Sequence, residues 1–407
     1  MIESKEAIAP QEARARRRAR VANYLGLERN VVTVSAAVFL MGLGEELWKK
    51  FLPKYLEALG AGTGVIGLFA TTRDFFDAIY QYPGGWLADR VGRRRAFLTF
   101  IAIAFFGYLI YMLSPSWPLM FVGLALSMAW VMASPAIFAV IGDALPKERR
   151  AMGFTIQSML KRVPMTVAPL IGGALVARYG ILGGVRLGLA ATLLLAAVTL
   201  LILSAINIPI IIGEPARLRG VWDSFHGALK RLLISDIIIR TCEAMAEVFI
   251  ILYATNVIGI RLGQYGVLVS IQMASAIIVY IPAAKIADRI GRKPFVIATF
   301  LCFALYPAAV VAASGFLTLI PAFIIGGLRE IGEPSRKAMI VDFAAPHLRA
   351  RTVGLYYLVR SLSITPAAAI GGLLWKIAPP LPFLTASVIG LVGMLVFAAR
   401  VEERYAS

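Results

Sequence analysis

Two short stretches decide the fold of this chain. Residues 84–95 read Gly-Gly-Trp-Leu-Ala-Asp-Arg-Val-Gly-Arg-Arg-Arg, and residues 283–293 read Ala-Ala-Lys-Ile-Ala-Asp-Arg-Ile-Gly-Arg-Lys. Each stretch ends one long apolar run and begins the next. Asp89 and Asp288 are 199 residues apart, and so are Gly92 and Gly291. This spacing indicates that the chain is built from two related halves.

Both stretches have the same physical content. A helix ends near a carboxylate, the chain turns at a glycine, which lacks a Cβ, and a cluster of arginines follows. The arginines mark one face of a membrane, because they cannot lie in hydrocarbon. Further pairs keep the 199-residue spacing: Lys161 with Arg360, Gly172 with Gly371, and Gly173 with Gly372.

The composition is that of a membrane protein. The chain is 59% hydrophobic with a mean hydropathy of +0.78, which exceeds the apolar content of soluble domains. The net charge of +18 would suggest nucleic acid in a soluble protein, but the apolar runs argue against that partner. Neither the two cysteines nor the two histidines have metal-site spacing. We expect no cofactor, no metal and no enzymatic activity, and a monomer whose partners are the lipid bilayer and a small-molecule substrate.

Twelve apolar spans are predicted, each long enough to cross a hydrocarbon core of about 30 Å. In chain order they are residues 31–56, 64–88, 95–114, 117–142, 151–178, 183–206, 231–258, 263–287, 294–314, 316–342, 350–375 and 381–399, numbered spans 1 to 12. They form an N-terminal half (31–206) and a C-terminal half (230–400). A basic arm (1–30) precedes them, a linker (207–229) joins them and a tail (401–407) follows. Lysines and arginines concentrate in alternate loops, which predicts a multi-pass protein of the cell's inner (plasma) membrane with both termini cytoplasmic.

The pattern G-x-L-A-D-R-x-G-R-[RK] in the first stretch resembles the loop between helices 2 and 3 of the major facilitator superfamily. In the second stretch Ala284 replaces the first glycine. The resemblance implies an all-α fold of twelve transmembrane helices in two six-helix halves, and a secondary transporter. It also implies a gating role on the cytoplasmic side, which we extend to the matching residues before spans 5 and 11. The predicted gating residues are Gly85, Asp89, Arg90, Gly92, Arg93, Asp143, Arg150, Asp288, Gly291, Arg292, Asp342 and Arg351.

Charged residues are unevenly distributed among the spans. At mid-bilayer each costs about 2.5–3.5 kcal/mol on insertion scales, so such residues usually face a cavity or one another. Spans 1, 2, 5, 7, 10 and 11 contain them, and the interiors of spans 3, 6, 9 and 12 do not. We therefore expect spans 3, 6, 9 and 12 at the periphery, spans 1, 4, 7 and 10 at the centre, and a water-filled path between the halves.

Lys161 and Arg360 are the strongest candidates for binding a substrate anion. They are equivalent in the repeat, and neither has an acidic residue within one turn of its own helix. The predicted substrate-binding set is Arg73, Gln157, Lys161, Arg162, Arg240, Arg329, Tyr356 and Arg360. An alternative remains for Arg73 with Asp77 and for Arg329 with Glu333: each is an i,i+4 pair that could simply hold helices together.

Carboxylates in a low-dielectric cavity can take up and release protons near neutral pH. The predicted proton-coupling residues are Glu45, Glu46, Asp77, Glu243, Glu247 and Glu333, although these side chains could instead only offset nearby cations. The sequence favours an alternating-access transporter of a small anionic or zwitterionic organic solute. A drug or lipid exporter of the same superfamily is the alternative. Two departures from the pattern of the resembled superfamily weaken this alternative. Span 4 lacks the arginine that proton-coupled members often carry midway, and span 5 carries Ala168-Pro169 where drug/proton antiporters have Gly-Pro.

Overall fold

The computed structural model describes residues 29–133, 137, 147–204, 225, 227–343 and 349–401. This part of the chain is helical, with no β-strand among the described residues. The predicted arm, most of the linker and most of the tail lie outside it, as does Asp143.

The N-terminal half contains six spans. Span 1 consists of Arg29–Glu46, a 3-10 turn Lys49–Phe51 and Leu52–Ala58. Span 2 is Thr63–Val91, span 3 is Arg93–Leu113, and span 4 is Trp117–Ser127 followed by a 3-10 segment Met128–Ala133. Spans 5 and 6 run through Lys147–Ser204, where Gly180, with φ 73°, separates residues 147–179 from 181–204.

The C-terminal half repeats this order. Span 7 consists of Gly227–Glu247, Ile250–Leu252 and a π-helical segment Tyr253–Val257. Span 8 is Leu262–Ile290, span 9 is Lys293–Ala312, and span 10 consists of Phe316–Leu328 and Glu333–Asp342. Span 11 consists of Arg349–Ile364 and Ala367–Ile377, and span 12 is Leu381–Arg400. Apart from the end of span 4, which lies outside the described residues, these bounds agree with the predicted spans to within a few residues.

Six stretches of the described chain are long and apolar enough to cross a membrane: Arg93–Leu113, Lys161–Ser204, Leu262–Tyr280, Lys293–Ala312, Thr352–Ile377 and Leu381–Arg400. Spans 1, 2, 7 and 10, which carry most of the charged residues, are not among them. The membrane fold therefore rests on the apolar spans, which supply hydrophobic length, while the charged spans depend on partners inside the protein.

The two signature stretches form the expected turns. Gly92 ends span 2 with φ 87°, and Gly291 ends span 8 with φ 104°. Both values lie in the left-handed region, which residues with a Cβ rarely adopt. We call the face of the molecule with these two turns the basic face, and the other the opposite face.

Three of the predicted central spans are interrupted near their charged residues. Span 1 breaks directly after Glu46, span 7 after Glu247, and span 10 between Leu328 and Glu333. In the interruption of span 10, the backbone N–H of Gly332 finds a partner on another helix: it donates to Thr299 Oγ1 of span 9 at 2.6 Å. Broken helices at the middle of a membrane protein are tolerated where they face a cavity or other protein, and they commonly form binding sites.

The predicted peripheral spans lie away from the interface between the halves. Spans 3, 9 and 12 pack against spans of their own half. They and span 6 expose large apolar side chains, among them Phe106, Leu194, Leu305 and Leu395. This arrangement is as the charge distribution predicted, and it leaves the uncharged helices to face lipid.

The halves meet through two pseudo-symmetric contacts, spans 5 with 8 and spans 2 with 11. A glycine of the repeat lies at each: Gly173 approaches Gly266 of span 8, and Gly372 approaches Gly64 of span 2. The neighbouring glycines Gly172 and Gly371 instead pack within their own halves, against the backbone of span 1 and of span 7. Each pair of neighbouring glycines thus allows two close contacts, one within its own half and one with the other half.

Candidate functional site

Polar contacts join the halves near the opposite face. Lys50 of span 1 forms an ion pair with Glu247 of span 7 at 3.0 Å. Lys54 contacts Glu57 at 2.5 Å and also bonds to Asn256, whose Nδ2 donates to Glu57 Oε1 at 2.6 Å. We call these five residues the seal, because they close the space between spans 1 and 7. They account for two of the three lysines near the end of span 1, Lys50 and Lys54.

A cavity of about 80 Å³ lies beside the seal, between spans 1, 2, 7 and 8. Its polar lining consists of Lys49, Lys50, Arg73 and Glu247, and the remainder is mostly apolar. Each of these cations has a carboxylate partner: Lys49 lies 3.6 Å from Glu46, Lys50 bonds to Glu247, and Arg73 bonds to Asp74 at 3.0 Å. Two of the predicted site residues, Arg73 and Glu247, therefore border one cavity.

Within the described span interiors of the N-terminal half, two charged residues have no partner. Lys161 lies near the middle of span 5 and is exposed, and the half-buried Asp77 lies near the middle of span 2. Neither makes a hydrogen bond or an ion pair with any residue in the described part of the chain. They are close enough to interact electrostatically with each other and with Lys49. Spans 5 and 2 of this half therefore present an unpaired cation, Lys161, and an unpaired carboxylate, Asp77.

The other acidic residues whose side chains are described in the N-terminal half have partners. Glu45 accepts a hydrogen bond from the hydroxyl of Tyr108, and Glu46 lies beside Lys49. Trp48, in the break of span 1, donates from Nε1 to Thr192 Oγ1 at 3.0 Å and packs edge-on against Tyr108. The break that presents Glu45 is thus held by spans 3 and 6.

The C-terminal half contains a continuous network of ion pairs. Four carboxylates alternate with four guanidinium groups along spans 7, 10 and 11: Asp236, Glu243, Glu247 and Glu333, with Arg240, Arg329, Arg336 and Arg360. Arg240 joins Glu243 at 2.7 Å to Glu333 at 3.0 Å, and Arg329 joins Glu243 at 3.3 Å to Glu247 at 3.4 Å. The network is formally neutral, and through Glu247 it reaches the seal.

The innermost part of the network is fully buried. Arg336, with 1% of its side chain exposed, bonds to Asp236 at 2.5 Å and to both oxygens of Glu333. Asp236, with 0% exposed, also accepts from the hydroxyl of Tyr356 at 3.0 Å and from Arg360 at 3.4 Å. Sequence reasoning missed Asp236. Its position four residues before Arg240, on the same helical face, was the available signal.

Several pairings differ from those the sequence suggested. Arg73 bonds to Asp74 rather than Asp77, since the adjacent carboxylate is within reach of its Nε and Nη2. Arg329 and Glu333 do not pair, because the interruption of span 10 lies between them and turns them to different partners.

Two arginines that the sequence left without acidic partners have them on other helices. Arg360 finds Asp236 on span 7 of its own half, not a carboxylate of the other half. Arg162 bonds to Glu330 at 3.0 Å across the halves and lies over the ring of Tyr280. This leaves Lys161 as the free cation among the predicted substrate ligands that the structure describes.

The predicted gating residues are partly described. Arg292, directly after the second turn, bonds to Asp342 at the end of span 10 at 2.5 Å. Arg93 is buried, whereas Arg90 is exposed. The surroundings of Gly85, Asp89, Arg150, Asp288 and Arg351 lie outside the described part, as does the side chain of Gln157. No cluster of potential metal ligands occurs among the described residues.

Comparison with known proteins agrees with this architecture. The sequence profile of the Major Facilitator Superfamily matches residues 34–240 and 232–407. The chain belongs to the major facilitator superfamily. It is 26% identical over 387 residues to an uncharacterized MFS-type transporter of Methanocaldococcus jannaschii, covering 91% of this chain and 94% of that one. It is also 26% identical over 342 residues to the multidrug resistance protein MdtG of Proteus mirabilis, covering 80% and 83%.

Solved structures of superfamily members share the fold. The nucleoside transporter NupG superposes with a TM-score of 0.76 at 12% identity, covering 93% of this chain and 100% of that one. A POT family transporter in complex with 5-aminolevulinic acid superposes with a TM-score of 0.73 at 15% identity, covering 91% and 95%. The protein is therefore a multi-pass membrane transporter of the superfamily and not an enzyme, as the signature stretches predicted. As a member of this family it acts on small molecules.

Proposed function

We propose that this protein is a secondary active transporter of a small anionic or zwitterionic organic solute, working by alternating access between its two halves. The observation that carries the proposal is the unpaired ammonium of Lys161 near the middle of span 5, a position we place near the middle of the membrane. An unpaired cation there is costly, so a negative group must offset it for part of the cycle. A solute carboxylate or phosphate is the natural candidate, with Arg360 approaching from the other half.

Proton coupling is assigned to Asp77. Of the six carboxylates suggested by the sequence, the other five each have a basic or hydroxyl partner. A carboxylate without a partner in a low-dielectric cavity gains most from binding a proton. Asp77 faces Arg73 and Asp74 of its own helix, Lys49 of span 1 and Lys161 of span 5. In the same half, Lys161 would thus bind the anionic group of the solute, and Asp77 would bind and release the proton.

We assign the basic face to the cytoplasm, because lysines and arginines accumulate on cytoplasmic loops. Both termini are then cytoplasmic, and the seal lies on the external side. The seal, the paired glycines and the Arg162–Glu330 contact all hold the halves together from mid-depth outward. The described arrangement corresponds to a state closed to the exterior.

A drug or lipid exporter is the second candidate, and the resemblance to MdtG favours it. The density of charge argues against it, because a pocket for varied apolar compounds needs few ion pairs and many apolar walls. In the C-terminal half, the guanidinium groups of Arg240 and Arg329 both lie over the ring of Phe303, so this aromatic surface is already covered by charge.

Counterflow in proteoliposomes separates the two. We expect exchange of 5-aminolevulinic acid, a zwitterion, and no exchange of the apolar cation tetraphenylphosphonium. Lys161→Ala should abolish the exchange, whereas Lys376→Ala, a lysine at the external end of span 11, should not. Exchange of tetraphenylphosphonium that survives Lys161→Ala would favour the exporter. Asp77→Asn should retain counterflow but lose accumulation driven by a pH gradient.

A further inference from the structure

Asp236 is an unusual acceptor among the buried groups of the C-terminal half. Its Oδ2 accepts from Arg336 at 2.5 Å, from Tyr356 at 3.0 Å and from Arg360 at 3.4 Å. Its Oδ1 has no hydrogen-bond partner among the described residues, and Arg240 Nε lies 3.9 Å from it. Three donors on one oxygen compete with one another, so the most distant of them is the most easily lost.

The three donors differ in how firmly they are held. Arg336 is buried and bonds to Glu333 as well, through Nε at 3.0 Å and Nη2 at 2.7 Å. Tyr356 is fully buried on the inner face of span 11. Arg360 has only the 3.4 Å contact, its Nε has no partner, and its guanidinium lies over the ring of Tyr357. With 16% of its side chain exposed, Arg360 is also the more accessible of the two arginines that bond to Asp236, since Arg336 has 1% exposed.

We propose that Asp236 is the internal counter-ion of Arg360: it neutralises this guanidinium in the unloaded protein and yields it to the anionic group of the solute. The inference rests on the proposed function, since it concerns the same anion site. Arg336 and Tyr356 keep Asp236 satisfied after the exchange, so no buried carboxylate is left unpaired. The incoming anion has to displace Asp236 from Arg360, and Asp236 therefore acts as a positioning residue that sets affinity.

The competition predicts effects of opposite sign from two variants. Asp236→Asn removes the competing charge and keeps an acceptor for Arg336, which also retains Glu333. Anion binding should become at least about fivefold tighter, at the low end of typical coupling between sites. Tyr356→Phe removes a rival donor, so Asp236 holds Arg360 more closely. Anion binding should then weaken by about threefold, the effect of one hydrogen bond.

The test measures binding of inorganic sulfate to purified protein through the concentration dependence of its melting temperature. The Lys161→Ala/Arg360→Gln double variant gives the baseline for general salt effects. We expect Asp236→Asn to bind sulfate more tightly and Tyr356→Phe more weakly than the wild type, and Asp236→Asn/Arg360→Gln to bind no better than Arg360→Gln. A purely structural role would lower the melting temperature and weaken binding in both single variants, which would overturn the inference.

The outcomes separate this inference from the proposed function. If the wild type shows no sulfate dependence beyond the baseline, the anion site itself is wrong, and the role of Asp236 is wrong with it. If Lys161→Ala and Arg360→Gln each lose binding but Asp236→Asn does not tighten it, the anion site stands and the counter-ion role is refuted.

Discussion

Adding one methyl group at Gly266 should hold the external side of the transporter open. A Cβ at this position of span 8 would lie 2.5 Å from the carbonyl oxygen of Pro169 and 3.0 Å from the Cα of Gly173, both on span 5 of the other half. These neighbours are backbone atoms of a packed helix and cannot rotate away. Gly266→Ala therefore forces spans 5 and 8 apart in the closed state and leaves the open state without strain.

The magnitude follows from the overlap. Ordinary contacts of a Cβ begin near 3.4 Å, so the helices must separate by roughly 1 Å, and overpacking of this kind costs about 1–3 kcal/mol. A change of about 1–3 kcal/mol between two states multiplies their ratio by roughly 5–150. The fraction of molecules open to the exterior should rise by that factor for as long as it remains the minor state.

Cysteine labelling measures this change. In a background with Cys242→Ser and Cys302→Ser, Leu56→Cys places a thiol on the cavity beside the seal, where the native side chain is buried. A membrane-impermeant maleimide should modify it at least about fivefold faster with Gly266→Ala than without it. The control is Gly354→Ala, in the helix of span 11, where an added Cβ meets nothing within 4 Å. Equal labelling rates in the two glycine variants would refute a closure that depends on this contact.

Three further predictions test other parts of the molecule. Arg336→Met should destabilise the protein by about 3–5 kcal/mol in denaturant unfolding, because it leaves the buried Asp236 short of its main partner. Adding Asp236→Asn should restore part of that loss. Lys50→Ala should raise the labelling rate of Leu56→Cys only modestly, since the Lys50–Glu247 pair is partly exposed and such pairs contribute at most about 1 kcal/mol. Asp89→Asn should keep insertion and solute affinity but slow counterflow, and an unchanged rate at equal expression would argue against its predicted gating role.

The fold could be predicted largely because its signals are local or repeated. Apolar runs give the spans, glycines with positive φ give the turns, and the 199-residue spacing relates the halves. The spacing even identified Gly173 and Gly372, although nothing in the sequence indicated that each would contact the opposite half. The absence of charge in spans 3, 9 and 12 placed them at the periphery for a physical reason, since lipid is the one environment that excludes charge.

For the site, the sequence predicted which charged residues take part but not which of them pair with one another. The partners of these residues depend on helix interruptions, whereas an argument from i,i+4 spacing assumes an unbroken helix. In an unbroken span 10, Arg329 and Glu333 would lie on one face and could pair. Because the span is interrupted, Arg329 pairs with Glu243 and Glu333 pairs with Arg336. Asp236 was missed because it lies near the end of its span, where a carboxylate is usually taken for a solvated residue.

The repeat preserves the backbone of the two halves but not most of the charges that form the network of the C-terminal half. Asp236, Arg240 and Arg336 correspond, at the 199-residue spacing, to Ala37, Met41 and Ile137 in the N-terminal half. The ion-pair network therefore has no counterpart there, and that half instead leaves Lys161 and Asp77 unpaired. Rocking between two states needs the shared features, the glycine contacts and the broken spans, because both halves must move as similar bodies. Binding and coupling need charges that can change partners, and of the arginines in the network Arg360, with a single 3.4 Å contact, meets that condition best. Substitutions of Arg240 and Arg336, each bonded to two carboxylates, should accordingly alter stability first, whereas substitutions at Lys161, Asp77 and Arg360 should alter binding and coupling with little effect on the fold.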